Sequence, residues 1–217
     1  MTAANSRTRL TQDQNRNMKR LTGCVIACAL AGCGAHEEAN RENLTAAVSQ
    51  FLDAHGDMCV GKVNWPIDIT KEEAQAHTPN SMQLPALKKV GLVEQKQVSD
   101  TTMRFSLTDE GRKYYLHKPM PSVASDGTMR MHEGDLCYGK LHVDKVIGWE
   151  PVRTENGAQR TVVTYTYTID AAPWTRNPDV QQMFPVVAMV VKSGGMLQLK
   201  QVVVLTKDGW KGQVGTG

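Results

Sequence analysis

Between residues 42 and 55, Leu44, Ala47, Val48, Phe51 and Leu52 recur at helical spacing, and His55 closes the stripe. The pattern predicts an amphipathic helix that ends at Gly56. Trp65-Pro66 follows within 63–69, where the proline argues against a central strand. A short charged helix is expected over 71–77. A longer one runs to Val90, with Asn80 or Ser81 as cap, Pro85 near its first turn and Gly91 as its stop. Residues 92–98 and 102–107 read as two strands around Ser99-Asp100. Thr108 then caps a helix expected to run through Leu116, with Asp109 and Glu110 favourably placed in its first turn.

Beyond residue 117 the periodicity changes. The stretch 118–133 carries Pro119, Pro121, Gly127 and three methionines, and it reads as a linker or a surface strap. Over 161–169 the chain alternates, with Val163, Tyr165, Tyr167 and Ile169 on one face and threonines mostly on the other. That is a strand with one wet side, able to pair with 141–149. Asn156-Gly157 supplies a turn signal between them. Pro178-Asp179 opens an apolar helical stretch to Val191, interrupted by Pro185 and stopped by Gly194-Gly195. A final strand is expected over 196–205, with a closing turn at 206–211. Helices and a small hairpin followed by antiparallel strands predict an α+β fold.

Landmarks recur between the two halves. Gly56-Asp57-Met58-Cys59-Val60-Gly61-Lys62 matches Gly134-Asp135-Leu136-Cys137-Tyr138-Gly139-Lys140. Pro79-Asn80 followed by Pro85 matches Pro178-Asp179 followed by Pro185. Leu107-Thr108 with Gly111 matches Leu205-Thr206 with Gly209. Three landmarks in the same order favour a divergent duplication packed as one unit. Convergent turn chemistry is the alternative, because Gly-Asp and Thr-x-x-Gly are common at element ends.

Charge changes the picture at the N-terminus. The formal net charge is +3. Arg7, Arg9, Arg16, Lys19 and Arg20 face only Asp13 in the first 32 residues, so the remainder is slightly acidic. It lacks the electrostatic footprint of a nucleic-acid binder. Lys19-Arg20 precedes an uncharged apolar run that ends Leu30-Ala31-Gly32-Cys33. The run is shorter than the ~20 apolar residues a spanning helix needs, and its layout is that of an export signal. Met18 is a second candidate start.

Leu30-Ala31-Gly32-Cys33 resembles the lipobox of bacterial lipoprotein precursors. The resemblance implies cleavage before Cys33, acylation of that cysteine, and a membrane anchor through its acyl chains. Gly34 after the cysteine resembles the pattern released to the outer membrane, with the body facing the periplasm. Cys24 and Cys28 would be removed, which leaves Cys59 and Cys137. A pair of cysteines in an exported body suggests one disulfide. Their equivalent places in the repeated segments suggest that it joins the two halves.

The order of elements carries a second resemblance. Gly91-Leu92-Val93, a short hairpin, then Leu107-Thr108-Asp109-Glu110-Gly111 resembles winged-helix regulators over residues 42–116. There such stretches end the recognition helix and start the helix after the wing. In this chain the corresponding helix contains Pro85 and only Lys88 and Lys89 as cations, with no cluster placed to read base edges. The fold is taken from the resemblance and the DNA-binding role is not.

The expected organisation is an export signal over 1–32, a lipidated tether over 33–41, a winged-helix-like half over 42–118, a linker over 119–133 and a β-rich half over 134–213. Catalytic patterns are missing from the sequence. The six histidines are scattered, and no Gly-x-Ser-x-Gly, Ser-x-x-Lys or phosphate loop occurs. Asp57 and Asp135 read as turn formers rather than paired carboxylates. Trp65, Trp149, Trp174 and Trp210 read as core or rim packing. No cofactor or metal is expected. The favoured function is a non-enzymatic envelope binding or scaffold module whose ligand or protein partner the sequence leaves open. A winged-helix DNA-binding regulator is the alternative, and a hydrolase of envelope polymers is the weaker one.

Overall fold

In the computed structural model the described residues are 36–123 and 127–214. The expected export signal and the acylation site Cys33 lie outside them.

Helix α1 spans Arg41–His55, and Asn40 caps it by accepting the Asn43 N–H at 2.9 Å. Leu44, Ala47, Val48 and Leu52 form its buried face, as the periodicity predicts. The Gly56 N–H donates to the Leu52 carbonyl at 2.7 Å and ends the helix. Glycine is needed there for space, since a Cβ would come within 2.5 Å of the Leu52 oxygen and 2.8 Å of the Leu141 oxygen. Lys118 Nζ donates to the Ala54 carbonyl and Lys140 Nζ to the Asp53 carbonyl, at 2.5 and 2.8 Å. Two cations thus neutralise the negative end of the helix dipole. His55 is exposed, its ring tilted against Phe51.

Strand β1 (Asp57–Cys59) follows, then β2 (Ile67–Thr70), α2 (Lys71–Gln75) and α3 (Pro79–Lys89). The cap of α3 is Thr78, not Asn80 or Ser81. Pro79 takes the first helical position, where a missing N–H costs nothing, and this moves the start forward. Strands β3 (Val93–Ser99) and β4 (Thr102–Leu107) form the expected hairpin. Thr108 caps α4, but α4 covers only Asp109–Arg112 and does not reach Leu116. Tyr115–Leu116 forms β5, drawn away from the helix by pairing with Leu136 and Asp135.

The stretch expected to be a linker contains a hairpin, β6 (Met120–Val123) with β7 (Met129–His132). Then come β8 (Asp135–Trp149), β9 (Arg153–Glu155), β10 (Ala158–Ala171), a 3-10 turn at Pro173–Arg176, α5 (Pro178–Met183), α6 (Pro185–Lys192), β11 (Gln198–Thr206) and β12 (Gly209–Gly212). Asn156-Gly157 closes a two-residue hairpin between β9 and β10, with φ of 50° and 77°. Both angles are positive, which is the requirement of the tight primed turn.

The described residues form a mixed helix-and-strand fold with antiparallel sheets. The large sheet runs β1-β8-β10-β11-β12, with β5 also on β8 and β9 also on β10. The small sheet runs β2-β4-β3. Helix α1 packs on β8, β11 and β12, so an N-terminal helix covers a C-terminal sheet. Val163, Tyr165, Tyr167 and Val203 lie buried on the sheet, and Leu84, Leu87, Leu92 and Phe105 are buried in the part built around α3 and the small sheet. All belong to one hydrophobic cluster, and the described residues form one unit.

The two Leu-Thr landmarks differ in structure. Thr108 starts a helix, whereas Thr206 precedes the β11–β12 turn and donates to the Gly209 carbonyl at 2.8 Å.

Candidate functional site

The two Gly-Asp-x-Cys segments pair with each other. In the β1–β8 ladder Asp57 lies opposite Lys140, Met58 opposite Gly139 and Cys59 opposite Cys137. The cysteines form a disulfide with their Cα atoms 3.7 Å apart. Around this bond the hydrogen bonding continues past the strand ends, from the Val60 N–H to the Leu136 carbonyl and from the Leu141 N–H to the Gly56 carbonyl, both at 2.9 Å.

Asp135 serves this junction structurally. Its carboxylate accepts the Gly61 and Lys62 backbone N–H groups at 3.0 and 2.7 Å. Burial pushes its pKa up, and those amide hydrogen bonds, together with the nearby Lys62 charge, oppose the rise. Lys62 is buried as well, and its Nζ donates to Gln83 Oε1 at 2.7 Å. Burial pulls its pKa down while the charge of Asp135 acts against that. Asp57 instead pairs with Lys118 at 3.2 Å. The two aspartates therefore hold chain segments rather than form a reactive pair.

From Lys62 the chain runs directly into an open cleft of about 610 Å³. The segment Val63–Pro66 forms one side of its lining, and Ser106 and Leu107 at the end of β4 contribute a second. Tyr115 and His117 come from β5 and the residues after it, Met131 and His132 from β7, and Glu133 follows β7 directly. Trp65 Nε1 donates to the Lys62 carbonyl at 2.9 Å, and the Tyr115 hydroxyl donates to the Val63 carbonyl at 2.5 Å. Burial raises the Tyr115 pKa, with smaller contributions from the charges of Asp135 and Glu133. The Tyr115 and His117 rings meet edge to face at 4.9 Å. The Arg112 guanidinium, also in the lining, donates to the Leu107 carbonyl at 2.8 Å and pairs with Asp109.

Of the four tryptophans, Trp65 lines this cleft. Trp174 and Trp210 are buried, and the Trp210 Nε1 donates to the Glu37 carbonyl at 3.1 Å. Trp149 lies under the Arg41 guanidinium, 6.0 Å from its ring centre. Among the described residues no group of three or more His, Cys, Asp or Glu side chains is arranged to hold a metal ion. No described helix is long and apolar enough to cross a membrane.

The structure brings together Cys59 and Cys137, the expected disulfide pair, while Cys33 lies outside the described residues. The cleft residues Arg112, Tyr115, His117 and Glu133 have no sequence signature. The first three lie close together in the chain, and the pairing of β5 with β8 brings Glu133 beside them. Comparison of the chain with protein-family models, curated proteins and solved structures finds no match.

Proposed function

We propose that this chain is exported, cleaved before Cys33, acylated there, and held at the membrane of the cell envelope as a non-enzymatic binding module. The observation that carries the reading is the Cys59–Cys137 bond. Such bonds persist in oxidising compartments, the destination that the Met18–Cys33 layout also implies. Several acyl chains on one cysteine make anchoring stable where a single chain is marginal. Gly34 favours the outer membrane, with the body facing the periplasm. The cleft beside Trp65 is the surface the module offers to a ligand.

Metabolic labelling with an alkyne fatty acid tests the anchor. Label is expected on the wild type and lost in Cys33→Ser. A Cys33→Ser protein that still takes up label, or a wild-type protein kept uncleaved in the cytoplasm, overturns the reading.

The winged-helix resemblance gains support from the order β2, α2, α3, β3, β4 and from the sheet order β2-β4-β3, although β1, which pairs with the large sheet, comes between α1 and β2. Its DNA-binding role does not. Helix α3 lies along α5, with Gln83 Nε2 donating to the Met183 carbonyl at 3.3 Å and Lys89 paired with Asp179 at 2.8 Å. The helix that would enter a groove is flanked by protein, and one of its two lysines is neutralised. A salt-dependent affinity for duplex DNA would restore that role. The hydrolase reading fares no better, because Asp135, the carboxyl group that burial raises, is held by backbone amides and is not among the cleft residues.

A further inference from the structure

We infer that the cleft beside Trp65 is a saccharide site that takes a short, neutral oligosaccharide. This rests on the reading of the chain as a binding module and names the class of ligand.

The first argument is the state of the aromatic rings. The polar tips of Trp65 and Tyr115 are both committed to backbone carbonyls of the 62–63 segment. What these side chains offer the cleft is therefore ring surface, held in place by those bonds. A pyranose has the complementary shape, with an apolar face of C–H groups and a rim of hydroxyls. The rim needs multidentate polar groups, and Asn64 and Glu133 supply an amide and a carboxylate in the same lining.

The second argument removes other ligands. A fatty acyl chain would desolvate Asn64, Ser106 and Glu133 without giving them hydrogen bonds, which is costly. A strongly anionic ligand finds Glu133 in the lining and an Arg112 already paired with Asp109. A peptide joining the end of β4 as an added strand meets a Leu107 carbonyl that already accepts from Arg112. A cleft of about 610 Å³ lies within the ~300–1,000 Å³ typical of small-ligand sites.

The test is calorimetric titration of the full chain, purified in detergent after fatty-acid labelling, with N-acetylchitotriose and with maltotriose. At least one should bind with a Kd below about 1 mM. Trp65→Ala should weaken binding by about tenfold or more, the cost of losing a stacked ring of ~1.4 kcal/mol. Glu133→Gln changes an exposed side chain, so it should keep the wild-type melting temperature and still weaken binding about threefold or more. The inference is overturned if neither sugar binds at about 10 mM, or if both variants bind as the wild type does. It is also overturned if a tetrapeptide binds in the cleft and the sugars do not. Labelled protein without sugar affinity refutes this inference and spares the anchor; sugar affinity in unlabelled protein does the reverse.

Discussion

Cys59 and Cys137 stand directly opposite each other in the β1–β8 ladder, each at the fourth position of a Gly-Asp-x-Cys-x-Gly-Lys segment. The bond joins residues 78 apart in the chain, so it closes a long loop and ties the edge strand β1 to β8.

Removing that bond should therefore be costly. By the chain-entropy model a loop of this length is worth about 4–5 kcal/mol. The Cys59→Ala/Cys137→Ala protein should show its urea midpoint lowered accordingly. An unchanged midpoint would mean that the β1–β8 pairing holds without the crosslink. Non-reducing mass spectrometry of exported protein should find neither thiol open to alkylation.

Asp135 should leave a signature in the pH dependence of stability. Burial raises its folded pKa above the unfolded value, so the folded state binds the proton more tightly. Its contribution is then fully present below about pH 4 and declines as pH rises through the raised folded pKa. Urea titrations of wild type and Asp135→Asn, taken upward from pH 4, should show the wild type losing stability relative to the variant. A difference that stays flat with pH would show that Asp135 titrates normally.

Gly111 is fixed by space. A Cβ there would come 2.0 Å from the Leu92 carbonyl oxygen, a backbone atom that cannot rotate away. Gly111→Ala should destabilise by at least ~1–3 kcal/mol, the usual cost of overpacking. A thermal melt within a degree or two of wild type would count against the close contact.

Lys118 and Lys140 both donate to the last carbonyls of α1. Replacing either by methionine should cost about 0.3–1 kcal/mol at low salt. The loss should shrink in about 1 M salt, where screening is strong. A loss that ignores salt would point to packing of the lysine stems rather than to their charge.

Helix α1 and the strands with Val163, Tyr165 and Tyr167 were legible because each pattern is local. A helical stripe or an alternating strand buries one face whatever covers it, so its period is written in the chain. The caps at Thr108 and the turn at Asn156-Gly157 were legible for a related reason, since their chemistry is settled within four residues. The disulfide was legible only through composition and the repeated segments, and the hairpin over 120–132 was masked by Pro121 within it and Pro119 just before it.

What the sequence by itself determined is the long, strongly periodic elements such as α1 and β10, the apolar face of each, and the two cysteines that would meet. The tertiary structure decided where α4 stops, because β5 pairing with Leu136 and Asp135 outcompetes another turn of helix. It decided that α1 covers β8, β11 and β12, strands from the other half of the chain. It also made the cleft, by laying Tyr115 and Glu133 beside Trp65 across about fifty residues or more of sequence. Local rules set backbone conformation over a few residues. Long-range pairing depends on the burial gained by the whole sheet, which no short window of sequence contains.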